Sequence, residues 1–183
     1  SSGAANAMPS GTSCMTDPVF VDTNVFLYAR DAGEPAKRPR AVSWLAHLWA
    51  ERLGRTSMQV LSEYYVNATR KLDPGLSPDE AWDDVEMLLT WNPLPVDGLL
   101  LQAGREIQRR HRLSWWDSLI VAAARLQGCG LLLSEDLQDG AVIAGVTVRS
   151  PFTLASAEAS ALYRTGPGAV ARHPRRGRPK IRA

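Results

Sequence analysis

Three short runs along the chain consist mainly of apolar residues. None of them contains a charged residue before the polar residue that ends or follows it. They lie within residues 18–22, 130–134 and 146–148. Runs of this length and composition are typical of strands that are buried on both faces. Residues 92–96 contain two prolines, so we predict an edge strand or a loop-like piece there rather than a central strand.

The stretches between these runs carry apolar residues at the three- and four-residue spacing of helices. Gly54 is predicted to end the second helix, and Thr56 with Gln59 resembles a capping box that begins the third. Ser77 and Glu80 form a second capping box at the start of the fourth. The predicted helices cover residues 25–30, 36–53, 56–71, 78–90, 97–112 and 115–127. Buried strands separated by helices predict an α/β fold, in which helices cover both faces of a parallel sheet.

Composition places the chain among soluble globular proteins, with 45% hydrophobic and 22% charged residues over 183 positions. The net charge of +2 conceals an asymmetry, because residues 164–183 contain seven basic residues and no acid. The rest of the chain has 14 basic and 19 acidic residues, a net charge of −5. Such a body does not attract a polyanion by its overall charge, so nucleic-acid binding there requires a local basic patch or metal ions.

We predict one domain over residues 18–153, preceded by a disordered lead or tag remnant at 1–17. Residues 154–183 are predicted to be a basic, disordered tail that makes non-specific contact with nucleic acid. Cys14 and Cys129 form no Cys-x-x-Cys pair, so neither zinc binding nor a disulfide framework is expected. No secretory signal or membrane span is recognisable, which favours a cytoplasmic protein without membrane contact.

Four acidic residues follow predicted boundaries at which side chains can converge. Asp22 comes directly after the first strand, and Asp136 comes shortly after the second. Asp117 lies in the first turn of the last helix, and Glu63 lies one to two turns into the third. Ligands of open α/β sheets gather at the carboxyl ends of strands, which is where Asp22 and Asp136 are expected.

Each acid also has a structural explanation of its own. The two aspartates that follow strands suit turns, Asp117 suits a capping pair with Ser114, and Glu63 suits a solvated helical face. Asp139 and Gly140 are expected to form a turn. Taken together, however, four carboxylates without His or Cys favour Mg²⁺ or Mn²⁺ over zinc. Such ions neutralise phosphoryl oxygens and lower the pKa of a bound water, which is the chemistry that phosphodiester hydrolysis needs.

The series of motifs resembles PIN-domain ribonucleases, and most closely the VapC-type toxins of bacterial toxin–antitoxin pairs. The resemblance covers residues 18–152 in order, in the segments 19–24, 61–63, 116–120, 134–140, 145–148 and 151–152. It implies a three-layer α/β/α domain with a short central parallel sheet. It also implies a metal-dependent endoribonuclease that acts as a homodimeric toxin and is covered by a cognate antitoxin.

The resemblance also implies roles for particular residues. The Mg²⁺ or Mn²⁺ site and the catalytic set would be Asp22, Glu63, Asp117 and Asp136. Ser134 matches the Ser or Thr that supports the metal site in the family. Asn24, in the Asp-Thr-Asn opening, is expected in the same supporting role.

Basic and aromatic residues near the acids are candidates for contact with RNA. The basic candidates, which can bind phosphates or form a solvated helix end, are Arg70, Arg105, Arg109 and Arg112. Trp115 and Trp116 can stack on bases, although core packing or a dimer face competes for at least one of them.

Two other functions compete with the ribonuclease interpretation. A phosphotransferase of the haloacid-dehalogenase type also begins at an Asp after the first strand. That class needs a second Asp two residues later, where this chain has Asn24. The second alternative is a nucleic-acid-binding partner protein that has a decayed nuclease site and acts through its basic tail. The presence of all four acids argues against decay.

Overall fold

The computed structural model describes residues 17–153, which form six helices and one five-stranded sheet. The strands are β1 (Val19–Val21), β2 (Gly54–Arg55), β3 (Leu131–Leu133), β4 (Val142–Ile143) and β5 (Val146–Arg149). The helices are α1 (Thr23–Arg30), α2 (Arg38–Ala50), α3 (Met58–Arg70), α4 (Pro78–Leu89), α5 (Gly98–His111) and α6 (Trp115–Leu126). The predicted tail and all but the last residue of the predicted lead lie outside the described residues.

The strand order is β2-β1-β3-β5-β4. Strands β2, β1, β3 and β5 are parallel, and β4 is antiparallel to β5. Helix α1 packs on α2 and α3, α3 packs on α4, and α5 packs on α6, which contacts β3 and β5. This arrangement confirms the predicted α/β/α architecture. Every residue of β1 and β3 is buried, and the polar residues that directly follow them, Asp22 and Ser134, are buried as well.

The sheet is mixed rather than wholly parallel, because β4 runs antiparallel to β5. The sequence-based prediction did not include β4. This two-residue strand joins β5 through a turn in which Ala144 (φ 50°) and Gly145 (φ 86°) are both left-handed. Positive φ at both central residues is the backbone of a type I′ hairpin. Alanine is unusual at the first of these positions, so the Asn-Gly signal that normally marks such a hairpin is missing.

Strand β2 was also missed, because Gly54 was predicted to end the preceding helix. Helix α2 ends at Ala50, and Arg52 takes the left-handed conformation (φ 56°). Gly54 instead pairs with Val19 of β1. A Cβ at Gly54 would lie 2.3 Å from the ring of Trp91, so the close approach of that ring is what requires glycine here.

Three smaller observations complete the fold. Residues 92–96 form a loop-like piece with a single parallel bridge between Leu94 and Ser57. Cys129 is buried and free, and burial raises the pKa of its thiol to about 12; Cys14 lies outside the described residues. Within the described part of the chain, no helix has the length and apolar character needed to cross a membrane.

Candidate active site

One cleft brings the four predicted acids together at the carboxyl ends of the central strands. Its volume is about 130 Å³. The acids that line it come from four separate segments and are Asp22, Glu63, Asp117 and Asp136. Asp22 follows β1 and Asp136 follows β3. Glu63 lies on α3, and Asp117 lies in the first turn of α6.

Asp22 is the most deeply placed of the four, with 7% of its surface exposed. Its Oδ1 accepts a hydrogen bond from the Thr23 backbone N–H (2.7 Å), so Asp22 also caps α1. Its Oδ2 accepts from the Ser134 hydroxyl (2.7 Å) and from the Asn24 amide (3.2 Å). Burial raises the pKa of Asp22 to about 6 against these hydrogen bonds, and the charges of Asp136 and Glu63 add to the rise. Ionisation of this carboxyl is therefore costly where no cation balances it.

Asn24 and Ser134 lie between the two aspartates, at the place where a supporting role was predicted. The Asn24 Nδ2 donates to Asp22 Oδ2 and also to Asp136 Oδ2 (3.1 Å). The Ser134 hydroxyl oxygen accepts from the Asp136 backbone N–H (3.2 Å) while it donates to Asp22. Both side chains are buried, so they fix the separation of the two carboxylates.

Glu63 is held by two donors that the sequence did not assign to the site. Thr23 Oγ1 donates to Glu63 Oε2 (3.2 Å), and Gln59 Nε2 donates to Glu63 Oε1 (3.0 Å). Gln59 and Glu63 are four residues apart on α3 and share a face of the helix. That spacing was the available signal for Gln59, and the position of Thr23 directly after Asp22 was the signal for Thr23.

The predicted capping box at the start of α3 is wrong, and the correction explains the position of Gln59. Ser57 is the residue that caps α3, since its Oγ accepts from the Val60 N–H (3.3 Å). Thr56 is fully buried and donates to the carbonyl of Val21 in β1 (3.3 Å) instead. Gln59 is thereby left to line the cleft. Among the described residues, its buried Oε1 has no hydrogen-bond partner.

Asp117 combines the two roles that the sequence left open. Ser114 caps α6, because its hydroxyl oxygen accepts from the Asp117 N–H (3.1 Å). The same hydroxyl donates to Asp117 Oδ2 (2.7 Å). Asp117 is half-buried and also lines the cleft, so capping and membership of the acidic cluster are compatible.

Comparison with known proteins places the chain in a family. The model of the PIN domain family matches residues 19–138. The chain belongs to the PIN domain family. Its fold resembles a toxin–antitoxin complex from Klebsiella pneumoniae, with 20% identity over 73% of this chain and 97% of the other, and a TM-score of 0.52. VapC20 of Mycobacterium tuberculosis, a sarcin–ricin loop cleaving toxin, matches with 23% identity over 64% and 91% of the two chains and a TM-score of 0.49. No curated protein matches.

The basic residues of this PIN domain that were predicted to contact RNA lie outside the cleft. All four of them are exposed, and they are Arg70, Arg105, Arg109 and Arg112. Arg105 donates to Gln108 on its own helix (2.8 Å), and Arg112 ends α5 in the left-handed conformation (φ 56°). Their contact with RNA stays a prediction.

Asp139 does not belong to the acidic cluster of the PIN domain. Its carboxylate accepts from Arg149 Nε (3.0 Å), the Ser150 N–H (2.9 Å) and the Thr153 hydroxyl (3.2 Å). With Gly140 at φ 80°, this confirms the predicted turn. Asp139 anchors the segment that follows β5 and does not line the cleft.

The donor atoms in the cleft are of the kind that a hard divalent cation prefers, since all four ionisable groups are carboxylates. Their spacing is set by protein donors, however. Among residues 17–153, no three acidic, His or Cys side chains are arranged to hold one ion as they stand. The Asn24 amide bonds to both Asp22 and Asp136. The cluster therefore fits a cation in the chemistry of its donors but not in their present arrangement.

A larger cleft, of about 420 Å³, lies at the β2 edge of the sheet. Its lining includes Trp49, Trp91, Arg52 and Arg55 and contains no acidic residue. It therefore offers none of the carboxylate chemistry of the smaller cleft, which is the candidate active site.

Proposed function

We propose that this PIN domain is a metal-dependent endoribonuclease that hydrolyses RNA phosphodiester bonds and acts as the toxin of a toxin–antitoxin pair. The observation that carries the proposal is the convergence of four carboxylates, from four distant segments, in one cleft. Membership of the PIN family supports nuclease activity. The fold shared with the Klebsiella toxin–antitoxin complex supports a cognate antitoxin as the partner. We further propose that the protein is a cytoplasmic homodimer.

Under this proposal, Asp22, Glu63, Asp117 and Asp136 hold Mg²⁺ or Mn²⁺. A bound ion of this kind neutralises charge on phosphoryl oxygens and lowers the pKa of a coordinated water. The raised pKa of Asp22, caused by burial and reinforced by Asp136 and Glu63, is the electrostatic imbalance that a cation would relieve.

The other polar residues of the cleft keep the carboxylates in position. Ser134 and Asn24 orient Asp22 and Asp136, and Thr23 and Gln59 orient Glu63. Orientation matters because displacement of a ligand or water by about 1 Å can cost about a hundredfold in rate.

Cleavage of a labelled RNA tests the enzymatic proposal. We expect cleavage in Mg²⁺ or Mn²⁺, loss of cleavage in excess chelator, and recovery when Mn²⁺ is added back. Asp136→Asn should lower the rate by orders of magnitude. Asp83→Asn, which changes an exposed acid on α4 outside the cleft, is the matched control and should not. Cleavage that survives exhaustive chelation would exclude a metal-dependent reaction.

The toxin proposal is tested in cells. Induced expression should arrest bacterial growth, and Asp136→Asn should relieve the arrest. Co-expression of a small protein encoded next to this gene should also restore growth. Growth arrest by the Asp136→Asn protein at wild-type strength would contradict toxicity through RNA cleavage.

A further inference from the structure

Trp116 is the most exposed of the six tryptophans, with 61% of its surface accessible. It lines the carboxylate cleft directly beside Asp117. Trp115, the preceding residue, is half-buried and packs against the core. The two rings at the start of α6 therefore have different surroundings, and packing of the fold accounts for only one of them.

The Trp116 ring has no aromatic neighbour among the described residues, unlike the other exposed tryptophans. Trp49 packs on Trp91 with ring centroids 5.3 Å apart, and Trp82 meets Tyr65 at 6.4 Å. The flat face of the Trp116 ring is available to a ligand in the cleft.

The surroundings of Trp116 fit a planar ligand with polar edges. Eight of the eleven residues that line the cleft are polar or acidic, and the other apolar ones are Leu27 and Ile120. An indole ring among polar groups suits a nucleobase, which has an apolar face to stack and polar edges to hydrogen-bond. Gln59, which is only 7% exposed, also lines this cleft, where its Nε2 donates to Glu63 Oε1.

We propose that Trp116 is the base-binding residue of the cleft, where an unpaired nucleobase of the RNA stacks on its indole ring. Stacking of one base would seat the neighbouring phosphodiester against the carboxylates. Because every base has a π-face, such stacking is tolerant of sequence. Trp116 therefore selects an accessible, unpaired nucleotide rather than a particular base. This inference rests on the proposed function, since it assumes that RNA occupies the cleft.

The test is an abasic scan of a short RNA. Six fluorescent hexanucleotides, each with one abasic position, and the intact hexanucleotide are bound to the full chain in Mg²⁺ and followed by fluorescence anisotropy. All proteins carry Asp136→Asn to suppress cleavage. Stacking on an aromatic ring contributes about 1–3 kcal/mol per base, so we expect one abasic position to weaken binding about 5- to 150-fold. Trp116→Ala should remove that position-specific penalty.

Two controls make the result specific. Trp82→Ala removes another exposed tryptophan, which lies on α4 and does not line the cleft. This variant should keep the full position-specific loss of affinity. Trp116→Phe keeps an aromatic ring and should keep part of it, and circular dichroism checks that every variant is folded. Phosphate contacts by the basic tail would shift all affinities without creating a penalty at one position.

The inference is overturned if no abasic position weakens binding, or if Trp116→Ala shows the same penalty as its parent. An unchanged penalty together with loss of the dimer in sedimentation would assign Trp116 to a protein interface instead. These outcomes do not depend on catalysis. A protein that never cleaves RNA but shows the Trp116-dependent penalty refutes the proposed activity, and one that cleaves without it refutes the base-binding role.

Discussion

Replacement of Asp22 by Asn tests whether the ionised Asp22 carboxylate, which is buried beside Asp136 and Glu63, destabilises the metal-free protein. The variant removes one charge and nearly preserves the shape of the side chain. If the four acids form a cation site, the chelated variant should be more stable than wild type while its cleavage rate falls by orders of magnitude. If Asp22 only caps α1, the variant should be no more stable than wild type and should remain active, because Asn caps a helix about as well as Asp.

The magnitude follows from the contacts of Asp22. Its pKa is raised from 3.8 to about 6, and each pKa unit corresponds to 1.36 kcal/mol, so ionisation at pH 7 costs the folded state about 3 kcal/mol. In the variant, an N–H₂ group replaces Oδ2 and faces the Asn24 amide, which is also a donor, so the hydrogen bond from Asn24 is lost at a cost of about 1 kcal/mol. The hydrogen bond to Ser134 can be kept, because the Ser134 hydroxyl can accept from the new N–H₂ instead of donating. The net stabilisation expected at pH 7 is about 1–2 kcal/mol, or roughly 3–6 °C in Tm.

The pH dependence has a definite sign. Because folding raises the pKa of Asp22, the folded protein holds the proton more tightly than the unfolded chain does. The wild-type protein therefore loses stability, relative to the variant, as pH rises from 3.8 to about 6. The advantage of Asp22→Asn should be complete above pH 6 and absent below about pH 4.

Urea unfolding in chelator at several pH values measures this difference, with Asp83→Asn as the control that should match wild type. Added Mg²⁺ should stabilise wild type more than the variant, because a ligand stabilises the state that binds it. A chelated variant that is no more stable than wild type, as expected if Asp22 only caps α1, and that cleaves RNA at the wild-type rate would refute the assignment.

Three further predictions address other parts of the chain. Gln59→Met should leave Tm unchanged or higher, because it replaces an unpaired buried carbonyl, but should slow cleavage about tenfold because Glu63 loses a donor; unaltered kinetics would contradict this. Gly54→Ala should lower stability by about 1–3 kcal/mol, since its Cβ would meet the Trp91 ring, and an unchanged urea midpoint would show that the ring moves freely. Deletion of residues 166–183 should leave the rate of cleavage intact and reduce the salt dependence of RNA binding; an unaltered salt slope would show that the tail makes no phosphate contact.

Features of the fold that depend on local sequence were predictable. The buried strands β1 and β3 appear as short apolar runs, and Ser77 and Ser114 cap α4 and α6 as expected. Strands β2 and β4 have two residues each, which is too short for a periodic signal. The meaning of Gly54 depends on Trp91, a residue 37 positions away that no local pattern connects with it.

The same distinction applies to the candidate site. Asp22, Asp117 and Asp136 were recognisable because each stands at or near the start or end of an element, whereas Glu63 stands in the middle of α3. Gln59 was assigned to a capping box with Thr56, but Thr56 does not cap α3. Its hydroxyl instead makes a tertiary contact, the hydrogen bond to the Val21 carbonyl. Trp116 and Trp115 are adjacent and chemically identical, so only the packing of α6 reveals which ring is exposed.

The position of β3 in the sheet determines when the cleft can form during synthesis. The segment that is synthesised first, up to the end of α3, contains Asp22 and Glu63. Strand β1, which Asp22 follows, pairs with β3, and β3 is synthesised much later. Asp117 and Asp136 arrive with the last elements, and Asn24 has its partners Ser134 and Asp136 only then. A nascent chain on the ribosome therefore has no complete acidic cluster until nearly the whole domain has emerged. Under the proposed function, incomplete fragments of the protein should accordingly be harmless to the cell that translates them.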